Sequence, residues 1–159
     1  MEPLPRSYLE ALGKIVDAMS GAESALIYSI SRIVGNDMDT TLCLIGGESI
    51  DILNSKANKL IHSRLKNEDL LKAFDMLRRR LDTLNEERNK YIHALWLTDG
   101  PNVMRVKYTK RSKTGALHQV DRHVEVQILL DLSRNIQESE DSLLKLVADN
   151  IELLTNKAT

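Results

Sequence analysis

The residues of this chain best suited to chemistry are Arg88, Asn89 and His93, within Arg88-Asn89-Lys90-Tyr91-Ile92-His93. An arginine holds a phosphate bidentately, an asparagine orients a hydroxyl or a phosphate oxygen, and histidine is the side chain whose ordinary pKa suits proton transfer near neutrality. The set suits a phosphodiester. Cleaving RNA without a metal ion needs a base for the 2′-hydroxyl and an acid for the leaving 5′-oxygen, and one histidine cannot be both at once. A two-fold dimer that packs these faces together brings two copies of His93 and Arg88 into one cleft. A homodimer is therefore expected.

A helix must position these residues. Leu70, Phe74, Leu77, Leu81 and Leu84 recur at steps of three and four, and the same line continues through Arg88 to Ile92 and Leu95. A guanidinium on the centre of an apolar stripe cannot shed its charge and is costly to bury without partners. By the 3.6-residue period Asn89 and His93 lie about 40° apart on one face, which Glu86 and Trp96 flank, while Arg88 points inward of it. Two other helices show a charge on their apolar lines, Glu23 among Leu9, Leu12, Val16, Met19 and Leu26, and Glu140 between Ile136 and Leu143. A structural ion pair of Arg88 with Glu23 or Glu140, fixing helix register with no chemistry attached, is the competing expectation.

The composition frames these candidates. A length of 159 residues, 42% hydrophobic and 28% charged, fits one soluble globular domain spanning residues 1–159. With aromatics at 4%, seven Gly and three Pro, helices are favoured over a sandwich or barrel. The net charge of -1 gives no global pull toward nucleic acid, so binding would rest on a local patch. Cys43 is the single cysteine, which excludes an internal disulfide and a cysteine-rich zinc site. His62, His118 and His123 lack metal-ligand spacing with one another, and Gly46-Gly47 lacks the lysine of a phosphate loop, so neither a metal nor another cofactor is expected. No signal peptide is visible and no apolar run approaches the roughly 20 residues of a membrane span, so a cytoplasmic, membrane-free protein is expected.

The periodicity predicts helices over 7–34, 38–44, 50–65, 68–97 and 124–154, with Gly35 stopping the first and Ser49 and Asn67 capping the third and fourth. Asp99-Gly100-Pro101-Asn102 reads as a turn, and alternation over 104–108 and 116–120 predicts a β-hairpin. The expected fold is mainly α, an antiparallel bundle of four to five helices with a small β-hairpin before the last. No acid falls between Asp99 and Asp121, while Arg105, Lys107, Lys110, Arg111 and Lys113 surround Tyr108. Such a hairpin could grip an RNA backbone with a tyrosine platform, but a solvated hairpin whose lysines discourage edge pairing is the favoured reading. Arg78-Arg79-Arg80 is interleaved with Asp75, Asp82 and Glu86 and reads as a solvated face.

On these residues the chain resembles the HEPN superfamily, whose signature is an arginine followed after four to six residues by a histidine on a late helix of an all-α bundle, often with a polar residue directly after the arginine. Leu84 to Trp96 carries the likeness, and Ala94 follows the histidine where a glycine is common. The resemblance implies a helical bundle, often a homodimer, that in many members is a metal-independent ribonuclease of toxin-antitoxin or other defence systems, with a cognate antitoxin as partner. It matches Arg88 and His93 to the catalytic pair, Asn89 to the polar position, and Glu23 more loosely. Other members keep the fold as non-catalytic interaction or scaffold modules.

Overall fold

The computed structural model describes residues 3–35, 37–100, 102–110 and 117–155; the side chains of 107–122 lie outside the description. Among the described residues the chain forms α1 (Arg6–Val34), α2 (Met38–Ile45), α3 (Ile50–Arg64), α4 (Glu68–Ile92), β1 (Leu95–Asp99), β2 (Asn102–Lys110), β3 (Leu117–His123), α5 (Val126–Asp149) and α6 (Ile151–Thr155). The fold is mainly α, as expected. Helices α1, α5, α4 and α3 form a closed circuit in which each packs on the next, with α2 against α1 and the short α6 against α1, α3 and α5.

Local signals set most helix ends. Gly35 closes α1 in the left-handed region at φ 75°, where its N–H donates to the Ser31 carbonyl at 3.0 Å, a backbone state that glycine adopts without a Cβ clash. Asp37 opens α2 by accepting the Thr40 N–H at 2.8 Å. Asn67 opens α4 through its Oδ1, which accepts the N–H groups of Asp69 at 3.0 Å and Leu70 at 3.2 Å. Ser49 occupies the corresponding position of α3 without a side-chain cap bond.

The buried lines differ from the leucine-based stripes. On α1, Leu9 and Val16 are exposed, and the buried face runs through Ala11, Ile15, Ala18, Ala22, Ala25 and Ser29. Small residues let α1 lie close to α5, and a reading weighted toward large apolar side chains passes over them. Glu23 therefore flanks the buried line of α1. On α5 the gap between Ile136 and Leu143 is filled by the fully buried Ser139, whose hydroxyl donates to the Asn135 carbonyl at 2.8 Å, and Glu140 sits half-buried beside it. Neither acid is at the centre of its stripe.

Polar residues join α3 to α4. Asn54 Nδ2 donates to Asp82 Oδ1 at 2.7 Å and to the Arg78 carbonyl at 3.1 Å, and Asn85 Nδ2 donates to Asp51 Oδ1 at 2.9 Å. Arg78 bonds Asp82 within α4 at 2.8 Å, and Arg80 reaches Glu138 on α5 at 3.0 Å, so one of the three consecutive arginines ties α4 to α5 through its side chain. Asn150 ends α5 early, its Nδ2 donating to the Leu146 carbonyl at 2.9 Å, and splits the expected last helix in two.

The hairpin is larger than expected. Three antiparallel strands run in the order β1-β2-β3, with Leu95 opposite Val106, Asp99 opposite Asn102, and Val106 opposite Asp121. Gly100, at φ 56°, begins the two-residue connection between β1 and β2, where tight hairpin turns require a positive φ. The added strand β1 comes from residues expected to continue α4. No helix among the described residues is long and apolar enough to cross a membrane.

Candidate functional site at the end of helix α4

Residues 93–97 of the sequence favour continued helix, with no glycine or proline to stop it. The stop comes from the sheet. Arg105 on β2 donates from Nη1 to the Lys90 carbonyl at 3.1 Å, and Trp96 on β1 donates from Nε1 to the Tyr91 carbonyl at 3.1 Å. These are carbonyls of the last turn, where helical partners run out, although the Tyr91 carbonyl also accepts the Ala94 N–H at 3.4 Å. Rings and charge strengthen the closure: the Arg105 guanidinium lies 5.2 Å from the centre of the Tyr91 ring, and Trp96 stacks on Tyr91 at 6.4 Å and meets Tyr8 edge-on at 6.3 Å. A cation at a helix C-terminus is also favoured by the macrodipole.

Two expectations change here. Trp96 does not flank Asn89 and His93 on a helix, because β1 carries it to the side where Tyr91 and Tyr8 pack. Arg105 is half-buried and engaged with α4, so it is not a free cation of a basic hairpin. Lys107, Tyr108 and Lys110 lie on β2 with side chains outside the description, and Arg111 and Lys113 lie outside the described residues altogether.

His93 is the C-cap of α4, exposed, with φ -98° and ψ 12°. Together with Glu86, Asn89, Lys90 and Ala94 it lines an open cleft of about 690 Å³, to which Leu95 on β1 and Val106 on β2 also contribute. The expected face of Glu86, Asn89 and His93 is thus a cleft wall. Lys90 belongs to it as well and was not singled out in the sequence, although it falls four residues after Glu86 and three before His93.

Arg88 is half-buried on the inner side of this wall. Its Nη1 donates to Asn89 Oδ1 at 2.8 Å, while its Nε is buried without a hydrogen-bond partner among the described residues. An arginine can only donate, so this contact fixes the orientation of the amide and leaves the Asn89 NH₂ as its free donor. Arg88 and His93, about 140° apart around the helix by its period, are thereby linked through Asn89. No ion pair joins Arg88 to Glu23 or Glu140 among the described residues. Helices α1 and α4 touch only slightly, and Glu140 turns its carboxylate toward α1, where a methyl group on Gly21 would come within 2.5 Å of Glu140 Oε2. Burial raises the Glu140 pKa above its ordinary 4.5, and the negative charges of Asp141 and Asp17 add to the effect.

Among the described residues no group of three His, Cys, Asp or Glu side chains is placed to hold a metal ion. Comparison with known proteins returned no matching family model, no matching curated protein and no matching solved structure.

Proposed function

We propose that the cleft at the end of α4 is the active site of a HEPN-like homodimer that cleaves single-stranded or tRNA-like RNA without a metal ion, in a toxin-antitoxin or other defence setting. His93 transfers protons at the scissile phosphodiester, Asn89 donates to a phosphate oxygen, and Arg88 holds Asn89 in the donating orientation while placing positive charge behind the phosphate. The hydrogen bond from Arg88 to Asn89, on a wall shared with His93, carries this reading. It gives all three residues of the motif one task. Leu95 is exposed at the side of the cleft, apolar surface that a second copy of the chain would cover. The competing interaction-module reading relies on an Arg88 ion pair with Glu23 or Glu140, and the described residues form none.

The test is an RNA cleavage assay in EDTA with end-group analysis. The wild type is expected to leave 2′,3′-cyclic phosphate and 5′-hydroxyl ends, and His93→Ala to lose activity by at least about 100-fold. Cleavage that survives the substitution would remove His93 from the chemistry and the proposal with it.

A further inference from the structure

Glu86, Asn89, Lys90 and His93 follow one another along a single wall of the cleft. From Glu86 to His93 the helix rises about 10.5 Å and turns to within about 20° of two complete turns. Read along the axis, the wall presents a carboxylate, then an amide with an ammonium, then an imidazole. Among the described residues Glu86 and Lys90 form no ion pair although they are four apart, so both remain available to the cleft. In-line cleavage of RNA requires a proton acceptor at the 2′-hydroxyl and a donor at the 5′-oxygen, on opposite sides of the phosphorus. Two hydrogen bonds in series with a phosphate between them span roughly 9 Å, close to the two-turn spacing.

We infer that Glu86 is the second proton-transfer residue of the cleft and Lys90 its phosphate anchor, both in the same chain as His93. The inference rests on the ribonuclease reading above and removes that mechanism's need for the partner's histidine. The Glu86 carboxylate takes the proton of the 2′-hydroxyl as that oxygen forms its bond to phosphorus. The bond from phosphorus to the 5′-oxygen breaks, and protonated His93 gives its proton to the departing oxygen. The products are a 2′,3′-cyclic phosphate and a 5′-hydroxyl, and proton exchange with water restores both side chains. Lys90 and the Asn89 NH₂ meet the non-bridging oxygens between them. Arg105, by holding the Lys90 carbonyl, keeps this part of the wall in place.

The experiment compares the wild type with Glu86→Gln, Lys90→Ala and His93→Ala on a short single-stranded RNA, under single-turnover conditions across pH. Glu86→Gln is expected to lower the cleavage rate by about 100-fold or more, to leave the apparent affinity little changed, and to lose the acidic limb of the pH profile while keeping the alkaline one. Lys90→Ala is expected chiefly to weaken RNA binding. Mixing Glu86→Gln with His93→Ala protein separates one chain from two: a pair within one chain stays inactive, whereas recovered cleavage would place the two groups on different protomers and overturn the inference. An active wild type with an unimpaired Glu86→Gln variant overturns the role of Glu86 alone. A wild type inert toward RNA overturns the ribonuclease reading and this inference together.

Discussion

The two ends of helix α4 are closed by opposite means. At the start, Asn67 bonds the N–H groups of residues two and three positions ahead of it, and Glu68 and Asp69 place negative charge in the first turn. At the finish, where the local backbone bonds are long at 3.4 Å, the last carbonyls are met by Arg105, fifteen residues away on β2, and by Trp96 on β1. A cap made from adjacent residues travels with its helix. A cap borrowed from a sheet makes the helix end depend on the sheet, and here that dependent end carries His93.

The largest effect should come from the borrowed cap. Trp96→Ala removes a half-buried indole from between Tyr8 and Tyr91 along with its bond to the Tyr91 carbonyl, a loss of about 3 kcal/mol. For a chain of this size that lowers the melting temperature by roughly 10 °C. Amide hydrogen exchange should show lost protection in both the last turn of α4 and β1. Asn67→Ala should cost about 1 kcal/mol, with deprotection confined to the first turn of α4. If Asn67→Ala exposed the sheet, or cost as much as Trp96→Ala, the distinction between the two caps would collapse.

The smallest effect tests whether tertiary surroundings govern side-chain chemistry as they govern the end of α4. Glu140 is pressed toward Gly21, and burial first, then Asp141 and Asp17, raise its pKa. Because the folded value lies above the ordinary one, protonation favours the folded state. The cost of carrying the charge is absent below about pH 4 and grows as pH rises through the raised value. Glu140→Gln should therefore melt slightly higher than the wild type at pH 7 and equally at pH 3. A melting difference that is the same at both values would assign the change to packing and detach it from ionisation.

The local cap of Asn67 and the glycines at residues 35 and 100 were readable because each acts on atoms within four residues of itself. The shared face of Glu86, Asn89 and His93 was readable for the same reason, since helical period alone places them together. Lys90 was open to that argument and lacked only a reason to be weighed. The end of α4 was not readable: Ala94, Leu95 and Leu97 are compatible with helix, and the preference for strand arises from pairing with residues 103–106. The apparent charges on the stripes misled because Ala18, Ala22 and Ser139, which hold the true buried lines, carry almost no hydropathy signal.

By itself, the sequence determined a mainly helical chain, the start of each long helix, the turn at Gly100, and one face bearing a carboxylate, an amide and an imidazole. These follow from steric and hydrogen-bonding preferences that act over a turn or less. Only the tertiary structure decided where α4 stops, that Trp96 and Arg105 serve its last carbonyls, and that neither Glu23 nor Glu140 pairs with Arg88 among the described residues. Those outcomes depend on which distant groups the packing brings to an unsatisfied atom.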